Sequence, residues 1–136
     1  MSDSQPTVVG IFNTSADVVD LLRRAIEPTG MVAVSVFTKE IREGAVSVDG
    51  FLREHDPQVV VYDIAPPYDA NWRLFQHVAS MELMRDRPVV LTTTNAAELE
   101  KIVGKNHRIF EIVGKPYDLD QIVRAVKEAA RSRPTR

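Results

Sequence analysis

The sequence predicts an α/β fold, a doubly wound parallel sheet of five strands with five helices around it. Two observations carry this prediction. Short apolar runs rich in Val and Ile alternate with segments of helical periodicity along the whole chain. Two of the runs, Val59–Tyr62 and Val89–Leu91, are apolar without interruption, which is typical of strands covered by helices on both faces. Strands that alternate with helices are joined by right-handed crossovers, so the sheet should be parallel.

The five predicted strands are the five apolar runs. They are Val8–Phe12, Met31–Phe37, Val59–Tyr62, Val89–Leu91 and Ile109–Val113. For strands connected in this way we expect the spatial order 2-1-3-4-5, the flavodoxin-like arrangement.

The five predicted helices lie between and after these strands. The first runs from Asp17 to Glu27 and stops at Pro28-Thr29-Gly30, the second covers Val48–His55, and the third starts near Asn71. The fourth and fifth are marked at their starts by two capping pairs, Asn95 with Glu98 and Asp118 with Gln121.

Length and composition limit the class of protein. A chain of 136 residues suits one domain, here 1–136 with a core at about 7–131 and a frayed basic tail at 132–136. The 17 basic and 19 acidic residues nearly balance, so we expect no nucleic-acid or membrane-surface partner. The chain has no cysteine, no apolar run of membrane-spanning length and no signal-peptide pattern at its start, which favours a cytoplasmic location.

Polar residues follow the predicted strands at the edge where such sheets carry their functional groups. The carboxyl ends of strands 1, 3, 4 and 5 meet there, next to the point at which the strand order reverses. The residues at that edge are Asn13 and Thr14, then Asp63, then Thr93 and Thr94, and finally Lys115-Pro116.

The order and spacing of these residues resemble the receiver domains of response regulators in two-component signalling. The similarity rests on Asp63 with Pro67 four residues on, on Thr93, and on the run Lys115 to Asp118, and it extends from about Thr7 to Arg131. It implies that Asp63 accepts a phosphoryl group from a histidine kinase. It further implies that Lys115 contacts the phosphate and pairs with Asp63, and that Thr93 is the switch hydroxyl.

The sequence departs from the receiver pattern at the end of the first strand. Receivers carry an acidic pair there that holds magnesium, whereas this chain has Asn13 and Thr14, or Phe12 and Asn13 if the register slips by one residue, and neither register restores a carboxylate. The remaining candidate ligands, Asp63 and Asn13, predict a weak, degenerate magnesium site, because magnesium is normally held by one or two carboxylates. We expect no other cofactor. Ile112 is a second departure, since many receivers have an aromatic residue at that position.

Two functions follow from the resemblance. The first is a stand-alone receiver domain in a phosphorelay, with Asp63 as phosphoryl acceptor. The second is a phosphorylation-independent pseudo-receiver that works as a protein–protein interaction module.

In either case the expected partner is a histidine kinase, a phosphotransfer protein or an effector protein. The docking face would combine the helix after the fourth strand, the fifth strand and the last helix. Neither function is that of a conventional metabolic enzyme.

A flavin-binding function is the alternative outside signalling. The hydroxyl-rich loop Asn13–Ala16 enters a helix N-terminus, a place where backbone amides can bind phosphate. Tyr68 and Trp72 would then flank the flavin ring. The loop has no glycine to let its backbone approach a phosphate closely, which weighs against this function.

Overall fold

The computed structural model describes residues 6–103, 109–114 and 118–132. Its strands are β1 (Val8–Asn13), β2 (Val32–Phe37), β3 (Val59–Ile64), β4 (Val89–Thr93) and β5 (Ile109–Gly114). Its α-helices are α1 (Ala16–Ile26), α2 (Thr38–Arg42), α3 (Val48–His55), α4 (Tyr68–Ala79), α5 (Ala96–Val103) and α6 (Leu119–Ser132). Short 3-10 turns lie at Glu27–Thr29 and Glu82–Met84. Within these described ranges, no helix is both long and apolar enough to cross a membrane.

The strands form one sheet in the order β2-β1-β3-β4-β5, and every neighbouring pair is parallel. The class predicted from the sequence, a parallel α/β sheet with flavodoxin-like order, is therefore present. β5 is an edge strand, and it pairs with β4 alone.

The predicted number of five helices is wrong, because the described residues contain six α-helices. The additional helix is α2, which follows β2 without a loop and is only 5 residues long. Its sequence has a single large apolar residue, Ile41, so it lacks the repeat by which a helix is recognised in a sequence. In addition, α4 begins at Tyr68, before the start near Asn71 that the sequence predicted.

Both faces of the sheet are buried, each by its own set of helices. Alternate strand residues point to opposite faces, so two apolar clusters form. One cluster packs under α3, α4 and α5 and contains Phe12, Tyr62, Phe75, Leu91 and Leu99. The other packs under α1 and α6 and contains Ile11, Leu22, Val61, Val90 and Ile122. Polar side chains on the central strands can therefore reach solvent only at the ends of the sheet.

Local signals in the sequence fix the ends of the helices. The Glu98 amide donates to Asn95 Oδ1 at 3.1 Å, and the Gln121 amide donates to Asp118 Oδ1 at 3.2 Å. Both predicted caps are thus formed. Gly30 adopts φ 92° after the turn that ends α1, a conformation that glycine takes without steric cost.

Arg87 fastens the loop before β3 to the segment that precedes β4. Its side chain is buried, and its Nε donates to the Leu83 carbonyl at 2.7 Å. Its Nη1 donates to Asp56 Oδ1 at 2.9 Å and also to the Pro57 carbonyl. The Asp56 side chain is largely exposed. The buried cation is therefore satisfied mostly by carbonyl groups.

We expect Arg87→Met to lower the free energy of unfolding by about 2–4 kcal/mol, since it leaves two carbonyl groups without their donor. Asp56→Asn is the matched control, and it should cost less than about 1 kcal/mol, because the asparagine keeps an oxygen that can accept from Arg87 and the side chain at this position is mostly in water. Urea unfolding followed by circular dichroism measures both values. Equal losses in the two variants would contradict this assignment.

Candidate functional site

Three polar side chains lie level with one another on adjacent strands at the carboxyl end of the sheet. Phe12 of β1 is in register with Tyr62 of β3, so Asn13 lies beside Asp63. Asp63 is in turn in register with Thr92 of β4. By the alternation of strand side chains, all three project toward the α1 and α6 face. Asn13 and Thr92 are buried and Asp63 is partly exposed.

A hydrogen bond from Thr92 holds the Asp63 carboxylate. The Thr92 hydroxyl donates to Asp63 Oδ1 at 2.7 Å. A hydrogen bond to an ionised acceptor is stronger than one between neutral groups, and it stabilises the charged form. The bond also fixes the direction of one carboxylate oxygen on a rigid strand. Asp63 is therefore a positioned carboxylate.

Asn13 turns its side-chain oxygen toward the backbone of the next two residues. Asn13 Oδ1 accepts from the Thr14 amide at 2.7 Å and from the Ser15 amide at 3.0 Å. Ser15 then caps α1 by accepting from the Val18 amide at 3.3 Å. The short polar side chain at the end of β1 thus shapes the entry to the helix. Asn13 Oδ1 therefore already accepts two backbone hydrogen bonds.

Thr93 and Thr94 lie next to Thr92 but make different contacts. Thr93 is fully buried, is in register with Ile64, and its Oγ1 accepts from the Asn95 amide at 3.4 Å. Thr94 is exposed, and its hydroxyl is bonded to the Tyr68 hydroxyl at 2.5 Å. In this conformation the described contact to Asp63 comes from Thr92. The switch role of Thr93 stays a prediction.

Three residues of the predicted site, Lys115 to Tyr117, lie outside the described residues. The Asp63–Lys115 ion pair and the phosphate contact of Lys115 therefore stay predictions. Ile112, the second departure from the receiver pattern, packs partly buried against the cluster under α3, α4 and α5.

The oxygen atoms around Asp63 do not make a good magnesium site. Asn13 Oδ1 accepts two backbone hydrogen bonds, and the nearby Ala65 carbonyl accepts from Asn71 Nδ2 at 2.6 Å. A magnesium site normally needs one or two carboxylates together with water or phosphate oxygens. Asp63 supplies one such carboxylate, but the Asn13 and Ala65 oxygens beside it already accept hydrogen bonds, so these residues fit a magnesium ion poorly.

The aromatic residues after β3 are not arranged for a flavin. Trp72 is buried and stacks on Phe75 with ring centroids 5.2 Å apart. A ring that belongs to the core of the α4 face cannot also cover a flavin. This packing contradicts the alternative in which Trp72 flanks a bound cofactor.

The fold is that of response-regulator receiver domains. A response regulator from Thermotoga maritima is 18% identical, covers 94% of this chain and 100% of its own, and superposes with a TM-score of 0.72. The N-terminal signal receiver domain of a response regulator from Bacteroides fragilis is 20% identical over 93% of this chain and 98% of its own, with a TM-score of 0.71. A sensor protein from Polaromonas is 19% identical over 93% of this chain and 98% of its own, with a TM-score of 0.69.

No protein-family model matches this chain, and no curated protein matches it. At these identities the likeness to solved structures establishes the fold.

Thr92 is the site residue that the sequence analysis missed. Thr92 and Thr93 end β4 and Thr94 follows the strand, and the resemblance favours the second of these three threonines. The signal that selects the first is the strand register, because the residue paired with Asp63 faces the same side of the sheet. That register becomes visible only in the structure.

We expect Thr92→Val to raise the pKa of the Asp63 carboxyl relative to the unchanged protein, since the lost hydrogen bond favours the ionised form. Thr93→Val is the matched control and should leave that pKa unchanged. Carbon-detected NMR titration of the carboxyl group measures it. The same shift in both variants, or none in Thr92→Val, would argue against a specific Thr92–Asp63 contact.

We expect magnesium at millimolar concentration to leave the amide signals of Asn13 and Asp63 almost unchanged, because among the described residues only one carboxylate faces the site and its oxygen neighbours already accept hydrogen bonds. The double variant Asn13→Asp with Thr14→Asp should gain saturable shifts at the same positions. A ¹H–¹⁵N NMR titration of both proteins makes the comparison. Saturable shifts in the unchanged protein would mean that its neutral oxygens suffice to hold the ion.

Proposed function

We propose that this chain is a receiver module of two-component signalling, with Asp63 as its phosphoryl acceptor. The observation that carries the proposal is the Asp63 carboxylate at the carboxyl end of the central strand, held by Thr92 at 2.7 Å. The receiver fold supports the same role, because open parallel sheets carry their functional groups at this edge.

The chemistry proposed for Asp63 is nucleophilic attack by a carboxylate oxygen on phosphorus. An O–P bond forms as the bond between phosphorus and the donor's leaving group breaks, and the donor keeps that electron pair. The product is an acyl phosphate. In this proposal Lys115 bonds a phosphoryl oxygen, and the Thr93 hydroxyl follows the added charge.

The same site should react slowly. Phosphoryl transfer depends mainly on positioning and on neutralising the charge that develops on the phosphoryl oxygens. Asn13 presents an amide where receivers have an acid, and its oxygen is turned toward the Thr14 and Ser15 amides. The neutral groups around Asp63 can orient it, but they supply little charge compensation.

The proposed partners are a histidine kinase, a phosphotransfer protein or an effector protein. By the receiver resemblance, the docking face is made of α5, β5 and α6. A phosphoryl group adds charge and strong acceptor oxygens, which can bias a neighbouring loop or helix between two arrangements. Such a change beside β4 would reach α5 first, since α5 directly follows β4.

A second candidate function is a phosphorylation-independent interaction module. The observation that favours it is the use of Asn13 as a backbone cap. A site with one carboxylate stores little charge repulsion for metal and phosphate to relieve. In that function the fold presents the same docking face at all times, and Asp63 serves local structure.

Intact mass spectrometry with acetyl phosphate and magnesium separates the two functions. We expect slow gain of a single phosphoryl mass over the course of hours, and we expect Asp63→Asn to abolish it. No gain at all would favour the phosphorylation-independent module. Gain that persists in Asp63→Asn would contradict the assignment of the acceptor.

Asp63→Asn itself should retain the fold, because it keeps the shape of the side chain and an oxygen that Thr92 can bond. We expect its free energy of unfolding to lie within about 1 kcal/mol of the unchanged protein. Urea unfolding measures this and shows that loss of labelling is not loss of folding. A larger loss of stability would make the carboxylate primarily a structural group.

A further inference from the structure

A pair of hydroxyl groups joins the two segments that leave the candidate site. Asp63 lies near the end of β3, and the chain then runs to α4, whose first residue is Tyr68. β4 ends at Thr93, and Thr94 follows it. The Tyr68 and Thr94 hydroxyl groups are hydrogen-bonded at 2.5 Å. The last register pair of β3 and β4 is Ile64 with Thr93, so the two hydroxyl groups extend the contact between these segments beyond the strands.

Tyr68 is the fixed partner of the pair. It belongs to α4, which is anchored in the core by the buried Trp72 and Phe75. The Tyr68 ring itself is partly buried and packs against the cluster under α3, α4 and α5. Thr94, in contrast, is exposed and lies in the short connection between β4 and α5. The Tyr68 hydroxyl therefore holds this connection against a rigid part of the molecule.

The connection after β4 determines where α5 begins. Asn95 caps α5 by accepting from the Glu98 amide at 3.1 Å, and the Asn95 amide donates to Thr93 Oγ1 at 3.4 Å. The second of these bonds is long for a hydrogen bond and is therefore weak. Thr94 lies between Thr93 and Asn95, so a movement of Thr94 also moves the residue that caps α5.

Thr93 faces the side of the sheet opposite to the Asp63 carboxylate. Its register partner Ile64 belongs to the cluster under α3, α4 and α5, whereas Thr92 faces Asp63 and donates to it. A Thr93 hydroxyl that follows a phosphoryl group on Asp63 must therefore turn across the end of the strand. This turn cannot leave the connection after β4 where it is.

We propose that the Tyr68–Thr94 hydroxyl pair is a latch that holds the start of α5 in the resting state and opens when Asp63 carries a phosphoryl group. The proposal rests on the acceptor role proposed for Asp63. A Thr93 hydroxyl that turns toward the phosphoryl group no longer accepts from the Asn95 amide, and the backbone at Thr94 shifts with it. Because α5 belongs to the proposed docking face, opening of the latch changes the surface that a partner meets.

The strength of the latch is suited to a switch. One hydrogen bond between neutral, exposed hydroxyl groups shifts an equilibrium by about twofold to tenfold. A phosphoryl group brings negative charge and three acceptor oxygens, and hydrogen bonds to an ionised acceptor are roughly twice as strong as neutral ones. The phosphoryl group therefore outweighs the latch, whereas thermal fluctuation alone leaves it mostly closed.

Amide hydrogen exchange of the full chain tests the latch without phosphate. Tyr68→Phe keeps the packed ring and deletes only the hydroxyl group, and Thr94→Val deletes its partner. Each should speed the exchange of the Asn95 and Glu98 amides by about twofold to tenfold, because the start of α5 opens more often. The double variant should exchange no faster than either single variant, since both changes remove the same bond.

Thr29→Val is the matched control for this experiment. It also deletes a threonine hydroxyl that makes one hydrogen bond, in this case to the Ile26 carbonyl at the end of α1. It should leave exchange at the start of α5 unchanged. Equal acceleration in the control would mean that these amides report overall stability and would overturn the latch. No acceleration in Tyr68→Phe, or additive effects in the double variant, would overturn it as well.

Phosphoryl labelling separates failure of the latch from failure of the acceptor role. A site that holds its phosphoryl group in the open arrangement reacts in proportion to the open population. Acetyl phosphate should therefore label Tyr68→Phe about twofold to tenfold faster than the unchanged protein, as followed by intact mass, and Thr29→Val at the unchanged rate. Equal rates in Tyr68→Phe and the unchanged protein would overturn the latch and leave Asp63 as the acceptor. Absence of labelling in every protein would overturn both.

Discussion

The burial of the parallel sheet on both faces is the constraint on which the other features of this molecule depend. A central strand covered by helices on two sides has room for polar groups only where it ends, and the pleat of the strand decides which face each of them joins. At the end of β3 the pleat sends Asp63 to the α1 and α6 face and Tyr62 to the face of α3, α4 and α5. Two consecutive residues therefore face opposite sides of the sheet.

The balance of charge at Asp63 follows from its neighbours. A partly buried carboxylate needs compensation by hydrogen bonds or by opposite charge. Here Thr92 donates one hydrogen bond, and Asn13 fills the adjacent strand end with a neutral side chain whose oxygen organises the start of α1. A second acid at that position would repel Asp63 and would attract a cation. The neutral asparagine therefore gives a site with less stored repulsion and less affinity for metal.

Much of the architecture could be predicted from the sequence because its signals are local. The capping residues Asn95 and Asp118, the helix Val48–His55 and the strand order each depend on spacing along the chain. The site was harder to predict, because β3 and β4 are apolar on both faces and lack the alternation that would reveal which side a residue faces. The choice between Thr92 and Thr93 depends on the register of these two strands.

The central claim is that the described neighbours of Asp63, Asn13 and Thr92, orient the carboxylate without supplying the charge that phosphoryl transfer requires. The most direct measurement is the rate of labelling by acetyl phosphate as a function of magnesium concentration, compared between the unchanged protein and the variant with aspartate at positions 13 and 14. The account predicts a slow rate in the unchanged protein that hardly depends on magnesium, and a rate in the variant that rises steeply and saturates. A steep, saturating magnesium dependence in the unchanged protein would contradict it.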